Sequence, residues 1–209
     1  MGQIKNIIFD LGGVIINLDI PKTIEEFNKL SRKPFESFYN QIKQNPVFDL
    51  FDKGQVSELD FFDEIRKALD INVSNEQLMF AWNAMLLDFP INRLELLTKL
   101  KTKYRLFLLS NTNETHVAAF EKQLLATHGY HNLEPFFEKV YYSCRMNMRK
   151  PDTEIFEYVL KENNLKPEET IFIDDSPQHI EGALKIGIKA HFLSKGKETE
   201  ELLQNLNLL

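Results

Sequence analysis

Five short apolar runs, each closed by polar residues, set the limits on how this chain folds. Asn6-Ile7-Ile8-Phe9 stops at Asp10, and Arg105-Leu106-Phe107-Leu108-Leu109 stops at Ser110-Asn111. Lys139-Val140-Tyr141-Tyr142 stops at Ser143, and Thr170-Ile171-Phe172-Ile173 stops at Asp174-Asp175. Lys189-Ala190-His191-Phe192-Leu193 makes a fifth run. A strand with one face in water alternates apolar and polar residues, whereas a strand covered on both faces reads as continuous apolar sequence. The runs therefore predict a buried parallel sheet. Helical spacing of apolar residues fills the intervals at Thr115 to Leu125 and Thr153 to Glu162, with Asp152 placed to cap the second. Gly182 to Ile186 continues a helix that opens near Ser176-Pro177, where proline suits the first turn. Alternating strands and helices predict a doubly wound α/β sheet.

One interval breaks the alternation. About ninety residues separate the first run from the second, and their pattern is helical. Pro21 to Leu30, Pro34 to Lys43, Ser57 to Leu69 and Ser74 to Leu87 are the expected helices. Ser57-Glu58-Leu59-Asp60 and Ser74-Asn75-Glu76-Gln77 have the form of capping boxes, which fix where two of these helices start. The expected division is a core of residues 1–16 and 91–209, with a helical bundle of residues 17–90 inserted after the first strand. Trp82, Phe80 and Met85 lie at roughly helical spacing and are expected in the core of that bundle.

Composition excludes several classes of function. Apolar residues make up 43% of the chain and include 17 Phe, enough for a large core and too many for a disordered chain. The net charge of −6 gives no electrostatic footprint for nucleic acid or for an anionic membrane surface. No segment is long and apolar enough to span a bilayer, and Met1-Gly2 lacks the Ser or Thr at position 6 that a myristoylation signal wants. Cys144 is the single cysteine and has no activating signature beside it, so it reads as a bystander thiol in a reducing compartment. The expectation is a cytoplasmic protein with a small-molecule partner. Nothing in the sequence fixes its oligomeric state.

Open α/β sheets bind ligands at the carboxyl ends of their strands. Asp10, Ser110-Asn111 and Asp174-Asp175 all fall there, so carboxylates far apart in sequence meet in one crevice. An isolated Asp after a strand is commonly a turn or cap residue. Their joint occurrence at equivalent positions is what points to chemistry. Asp10 can act as a carboxylate nucleophile toward phosphorus. A phosphate approaching a carboxylate is repelled unless a cation intervenes, and Asp10, Asp174 and Asp175 offer hard oxygen ligands suited to Mg²⁺. Ser110 and the amide of Asn111 can hydrogen-bond phosphate oxygens. Lys150 can stabilise a phosphoryl group in transit. Gly12 and Gly13 allow a tight turn that presents a backbone carbonyl, that of Gly12, to the metal.

These residues lie in four strings: Phe9-Asp10-Leu11-Gly12-Gly13-Val14, Leu108-Leu109-Ser110-Asn111-Thr112-Asn113, Arg149-Lys150-Pro151-Asp152 and Phe172-Ile173-Asp174-Asp175-Ser176. In this order they resemble the four motifs of the haloacid dehalogenase-like hydrolases, over essentially the whole chain. The resemblance is closest to the branch containing α-D-glucose-1-phosphate phosphatase, through the Ser-Asn-Thr-Asn string, Met148 to Pro151, and Ile180 to Ala183. It implies a Rossmann-like core and a helical cap inserted after the first motif. It also implies a Mg²⁺-dependent phosphatase acting on a small phosphate ester, expected to be a sugar phosphate, through an aspartyl-phosphate. Asp175 would then be the direct metal ligand and Asp174 would act directly or through water.

One position departs from the family pattern. Most of these phosphatases carry a second Asp two residues after the nucleophile, which protonates the leaving group and later activates water. Here that position is Gly12. General acid–base assistance is worth ~10²–10⁴-fold, so the loss needs an answer. Asp19 or another cap carboxylate could substitute. A sugar 1-phosphate could supply a more acidic leaving group that needs little protonation. The protein could also be a phosphoryl-ligand-binding relative without turnover. A metal-free dehalogenase explains Gly12 but not the two acids at Asp174-Asp175, where dehalogenases of the family carry neutral residues. His116, four residues after Thr112, reads first as a structural histidine.

Overall fold

The computed structural model describes residues 3–32, 34–35 and 46–209. Five parallel strands form one sheet: β1 (Asn6–Phe9), β2 (Arg105–Ser110), β3 (Lys139–Tyr142), β4 (Thr170–Asp174) and β5 (Lys189–Phe192). Their spatial order is β3-β2-β1-β4-β5. The chain winds outward from β1 through β2 to β3, then crosses to the far side of β1 for β4 and β5. The order thus reverses between β1 and β4, where an open sheet of this kind leaves a crevice. Phe9 pairs in register with Leu108 on one side and Ile173 on the other, so β1, β2 and β4 finish at the same level.

Successive strand residues point to opposite faces, and the core divides accordingly. Ile7, Phe9, Leu106, Leu108, Ile171 and Ile173 pack on one face with α5 (Ile91–Leu100), α6 (Glu114–His128) and α10 (Thr199–Asn205). Ile8, Phe107, Leu109 and Phe172 pack on the other with α8 (Thr153–Glu162) and α9 (Pro177–Lys185). Covering on both faces is the physical reason the strands show no alternation in sequence.

Between β1 and β2 lie α1 (Ile20–Leu30), α2 (Pro46–Asp52), α3 (Glu58–Leu69) and α4 (Asn75–Asn83). They enclose a core of their own that contains no strand residue. Phe27, Phe48, Phe51, Phe61, Trp82 and Met85 are among its members. Ser74 closes a full capping box with Gln77, whereas Ser57 accepts from the Asp60 amide and donates to the Asp60 carboxylate. The expected helix at Pro34 to Lys43 falls mostly outside the described residues. Phe80 corrects an expectation: it is 68% exposed. Leu78, Ala81, Trp82 and Met85 form the buried stripe of this segment. Phe80 lies about 200° round the helix from both Leu78 and Trp82, which turns it outward. Four helices among the described residues were not expected from the sequence: α2, α5, α7 (Ser143–Met146) and α10. No helix among the described residues is long and apolar enough to cross a membrane.

Candidate active site at the strand ends

Asp10 follows β1 directly, and its backbone N–H donates to Ile173 O at 2.9 Å, tying it to β4. The turn beyond it is closed by Leu11 O, which accepts from the amides of Ile15 and Ile16, and by Gly13 N–H, which donates to Ile16 O. These bonds leave the Gly12 carbonyl out of the turn's own ladder. Gly13 has φ +68°, and a Cβ there would lie 2.3 Å from Asp175 Oδ2, so only glycine admits the carboxylate at this point. Gly12 differs. A Cβ at this position would meet Leu18 Cδ1 at 2.6 Å, so the tip of Leu18 fills the space next to where a second acid would start.

Lys150 joins the acids. Its Nζ donates to Asp10 Oδ1 at 2.6 Å and to Asp174 Oδ2 at 2.7 Å, and both Lys150 and Asp174 are wholly buried. The ammonium also stands 5.3 Å over the Phe172 ring. Burial works against a charged lysine, but the carboxylates of Asp10 and Asp174 outweigh it and raise the Lys150 pKa above its ordinary value. Burial likewise works against the Asp174 carboxylate. Lys150 and His179 overcome it and hold Asp174 down at about 2. Asp10 is pushed the other way: burial raises it, Lys150 opposes, and Asp174 adds to the rise.

Carboxylate oxygens of Asp10, Asp174 and Asp175 all lie within 4.8 Å of one another. Asp175 stands at the solvent edge of the cluster. Partial burial and the charges of Asp10 and Asp174 push its carboxyl up to about 7. Three acids facing one ammonium leave the cluster short of positive charge, and a hard divalent cation fits that deficit. The two acids of the pair are not equivalent. Asp174 accepts from Lys150 Nζ, from Ser176 N–H at 2.7 Å and from His179 Nδ1 at 3.0 Å, which occupies both its oxygens. Asp175 has no such ties to Lys150 or His179 and faces the open side.

Ser110 ends β2 and is buried, with its hydroxyl 3.5 Å from Asn111 O. The side chain of Asn111 is already committed: its Nδ2 donates to Lys150 O at 2.8 Å and its Oδ1 accepts from Lys150 N–H at 2.9 Å. The carboxamide thus clamps the main chain of Lys150. Asp19 begins α1 beside Lys22 and is no member of the acid cluster. His116 is buried against Trp82, with ring centroids 4.9 Å apart, and its Nδ1 meets Asn83 Oδ1 at 2.8 Å. Burial lowers its pKa to about 3, so it stays neutral. Burial also pushes the Cys144 thiol up to about 12, which disfavours its thiolate. Sequence reasoning missed His179. The signal was there: a histidine four residues past Asp175, on the first turn of a helix starting at the acid pair.

A parallel α/β sheet with an acid cluster at its switch point, and a lysine buried among the acids, defines a class of hydrolase that works on anions. The chain belongs to the haloacid dehalogenase-like hydrolases, whose family model matches residues 4–187. It is 27% identical over 206 residues to a D-ribitol-5-phosphate phosphatase of Bacteroides thetaiotaomicron, covering 98% of this chain and 100% of the relative. It is 26% identical to a glyceraldehyde 3-phosphate phosphatase of Pyrococcus furiosus, covering 96% and 85%. Among solved structures, a HAD-family enzyme of Bacteroides thetaiotaomicron superposes with a TM-score of 0.90 at 37% identity, covering 96% of this chain and 98% of that one. That enzyme was solved as an aspartate-to-alanine variant in complex with magnesium and inorganic phosphate.

Proposed function

We propose that this chain is a Mg²⁺-dependent phosphatase that hydrolyses a small sugar or polyol phosphate through an aspartyl-phosphate on Asp10. The observation that carries this reading is the cluster of Asp10, Asp174 and Asp175 around the buried Lys150 ammonium. Asp10, Asp175 and the Gly12 carbonyl would hold the ion, and Asp174 would act from behind them. The ion supplies charge neutralisation that lets a dianionic ester approach a carboxylate. The phosphatase relatives and the magnesium–phosphate complex support the same chemistry.

Asp10 attacks phosphorus and carries the phosphoryl group, which water then removes. Lys150 is held 2.6 Å from Asp10 Oδ1, where its ammonium orients the nucleophile and offsets charge on the transferring group. Ser110 Oγ and the Asn111 N–H take the phosphate oxygens. Gly12 carries no carboxyl at the position the family uses for proton transfer, and Leu18 fills the space beside it. As Asp10 bonds phosphorus, the P–O bond to the alcohol breaks. With no acid at position 12 the departing oxygen takes its proton from water, so esters of acidic alcohols turn over fastest and esters of ordinary polyol hydroxyls more slowly. Residues 17–90 serve as a cap over the crevice, with a core separate from the sheet. The protein works in the cytoplasm.

A phosphate-release screen over sugar and polyol phosphates, with Mg²⁺ and with chelator, tests the reading. Release that needs Mg²⁺ supports it. Chloride release from 2-chloropropionate that persists in chelator would replace it with a dehalogenase.

A further inference from the structure

The buried ammonium of Lys150 is gripped at both ends, and one side chain touches both grips. At the main-chain end, the Asn111 carboxamide exchanges two hydrogen bonds with the Lys150 N–H and carbonyl, at 2.9 and 2.8 Å. At the ammonium end, Asp10 and Asp174 accept at 2.6 and 2.7 Å. His179 Nδ1 lies 3.0 Å from both oxygens of Asp174, and its Nε2 lies 3.5 Å from Asn111 Nδ2. Only one tautomer satisfies both neighbours: Nδ1–H donates to Asp174, and Nε2 accepts from Asn111. The bonds then close a ring through the ends of three separate chain segments: Asn111 after β2, Lys150 after α7 (Ser143–Met146), and Asp174 with His179 at β4 and α9.

Resting on the phosphatase reading above, we propose that His179 is a positioning residue that fixes the Lys150 ammonium on the nucleophile Asp10. It acts through Asp174 and Asn111 and does not touch the substrate. Without the imidazole, Asp174 keeps its bonds to Lys150 and to the Ser176 amide, but its carboxylate plane is no longer pinned. Lys150 Nζ, drawn between two acids, is then free to follow Asp174 away from Asp10. The ring is held in place by close packing. Gly182 of α9 approaches the Lys150–Pro151 segment so tightly that a Cβ would lie 2.4 Å from Pro151 O. His179 therefore cannot drift from the lysine segment while α9 stays folded.

Two substitutions separate positioning from mere support. His179→Asn puts a carboxamide N–H where Nδ1 stands and keeps the bond to Asp174, whereas His179→Ala removes both contacts. Outer residues of this kind are worth ~10–100-fold in activity. For the full chain with Mg²⁺ and a phosphate ester it turns over, His179→Ala is expected to lower kcat by that factor with KM nearly unchanged, and His179→Asn to restore most of it. Equal loss of melting temperature in both variants, with wild-type kcat in the folded protein, would overturn the proposal. A crystal structure of His179→Ala decides independently of turnover. Displacement of Lys150 Nζ from Asp10 supports the role, and Nζ unmoved between Asp10 and Asp174 refutes it. Should the wild type release no phosphate, the phosphatase reading alone fails and the crystal structure still settles the role of His179.

Discussion

Two polar networks hold this molecule together, and they are built on opposite terms. The strand-end network is charged and buried: Lys150 and Asp174 have no exposed side-chain surface. The network joining the inserted helices to the sheet domain uses amides, hydroxyls and partly exposed ion pairs. Asn113 Oδ1 accepts from Trp82 Nε1 at 3.4 Å and its Nδ2 donates to Asp52 at 3.3 Å, while Arg149 pairs with Asp49 and Lys53 with Asp152. A buried charge has no alternative partner, so its network holds one arrangement. Exposed pairs exchange readily with water and are individually worth ~0–1 kcal/mol. The difference teaches where rigidity is spent. It is concentrated where the reacting atoms lie; at the join to the inserted helices only the rim ion pairs exchange cheaply, while Trp82, Asn113 and His116 are buried.

The comparison breaks most sharply at Lys150. Lys150→Ala should lower kcat and kcat/KM together by about 10²–10³-fold, because the lost charge acts on the transition state. A steady-state assay that finds only a modest rise in KM would make Lys150 a docking residue. On the helical side, Trp82→Ala removes the ring that stacks on Phe48 and His116. It should cost about 3–5 kcal/mol in urea denaturation. A loss below about 1 kcal/mol would mean that the aromatic cluster does not hold the insertion together.

His116 tests the join by pH. Its pKa is lowered in the fold, to about 3 from 6.5, so the unfolded chain takes up a proton that the folded chain refuses. Its contribution is thus fully present above about 6.5 and is lost as pH falls toward about 3. Between pH 7 and pH 4 the wild type should lose about 3 kcal/mol more than His116→Asn, compared by denaturant melts. Parallel acid limbs for the two proteins would contradict this. The smallest effect is expected at Gly12. Its backbone has no positive φ, and only the flexible end of Leu18 obstructs a side chain. Gly12→Asp combined with Leu18→Ala should raise kcat/KM roughly tenfold for esters of poor leaving groups and little for p-nitrophenyl phosphate. Equal change for both substrates would show that no proton-transfer role was restored.

The sheet was legible because burial on both faces writes itself as unbroken apolar runs, as at Ile7 to Phe9 and Ile171 to Ile173. Strand ends were equally legible, since polarity returns at Asp10, Ser110 and Asp174. Ser57 and Ser74 marked two helix starts through capping chemistry that is local in sequence. What escaped depends on contacts between distant segments. α2 gave no cap signal, and its place is set by Phe48 and Phe51 packing on Phe61 and Trp82. The commitment of the Asn111 carboxamide to Lys150 and the reach of His179 to Asp174 join residues that only the fold brings together. The Gly12 gap was visible in sequence, but its filling by Leu18 was not.

The central claim is covalent transfer to Asp10. The direct measurement mixes the enzyme with Mg²⁺ and a hydrolysed phosphate ester, quenches in acid during turnover, and weighs the peptide that carries Asp10. The expected result is the mass of one phosphoryl group on Asp10, absent when chelator replaces Mg²⁺ and absent in Asp10→Asn. Phosphate release at an undiminished rate from Asp10→Asn, with no phosphorylated peptide in the wild type, would contradict the account.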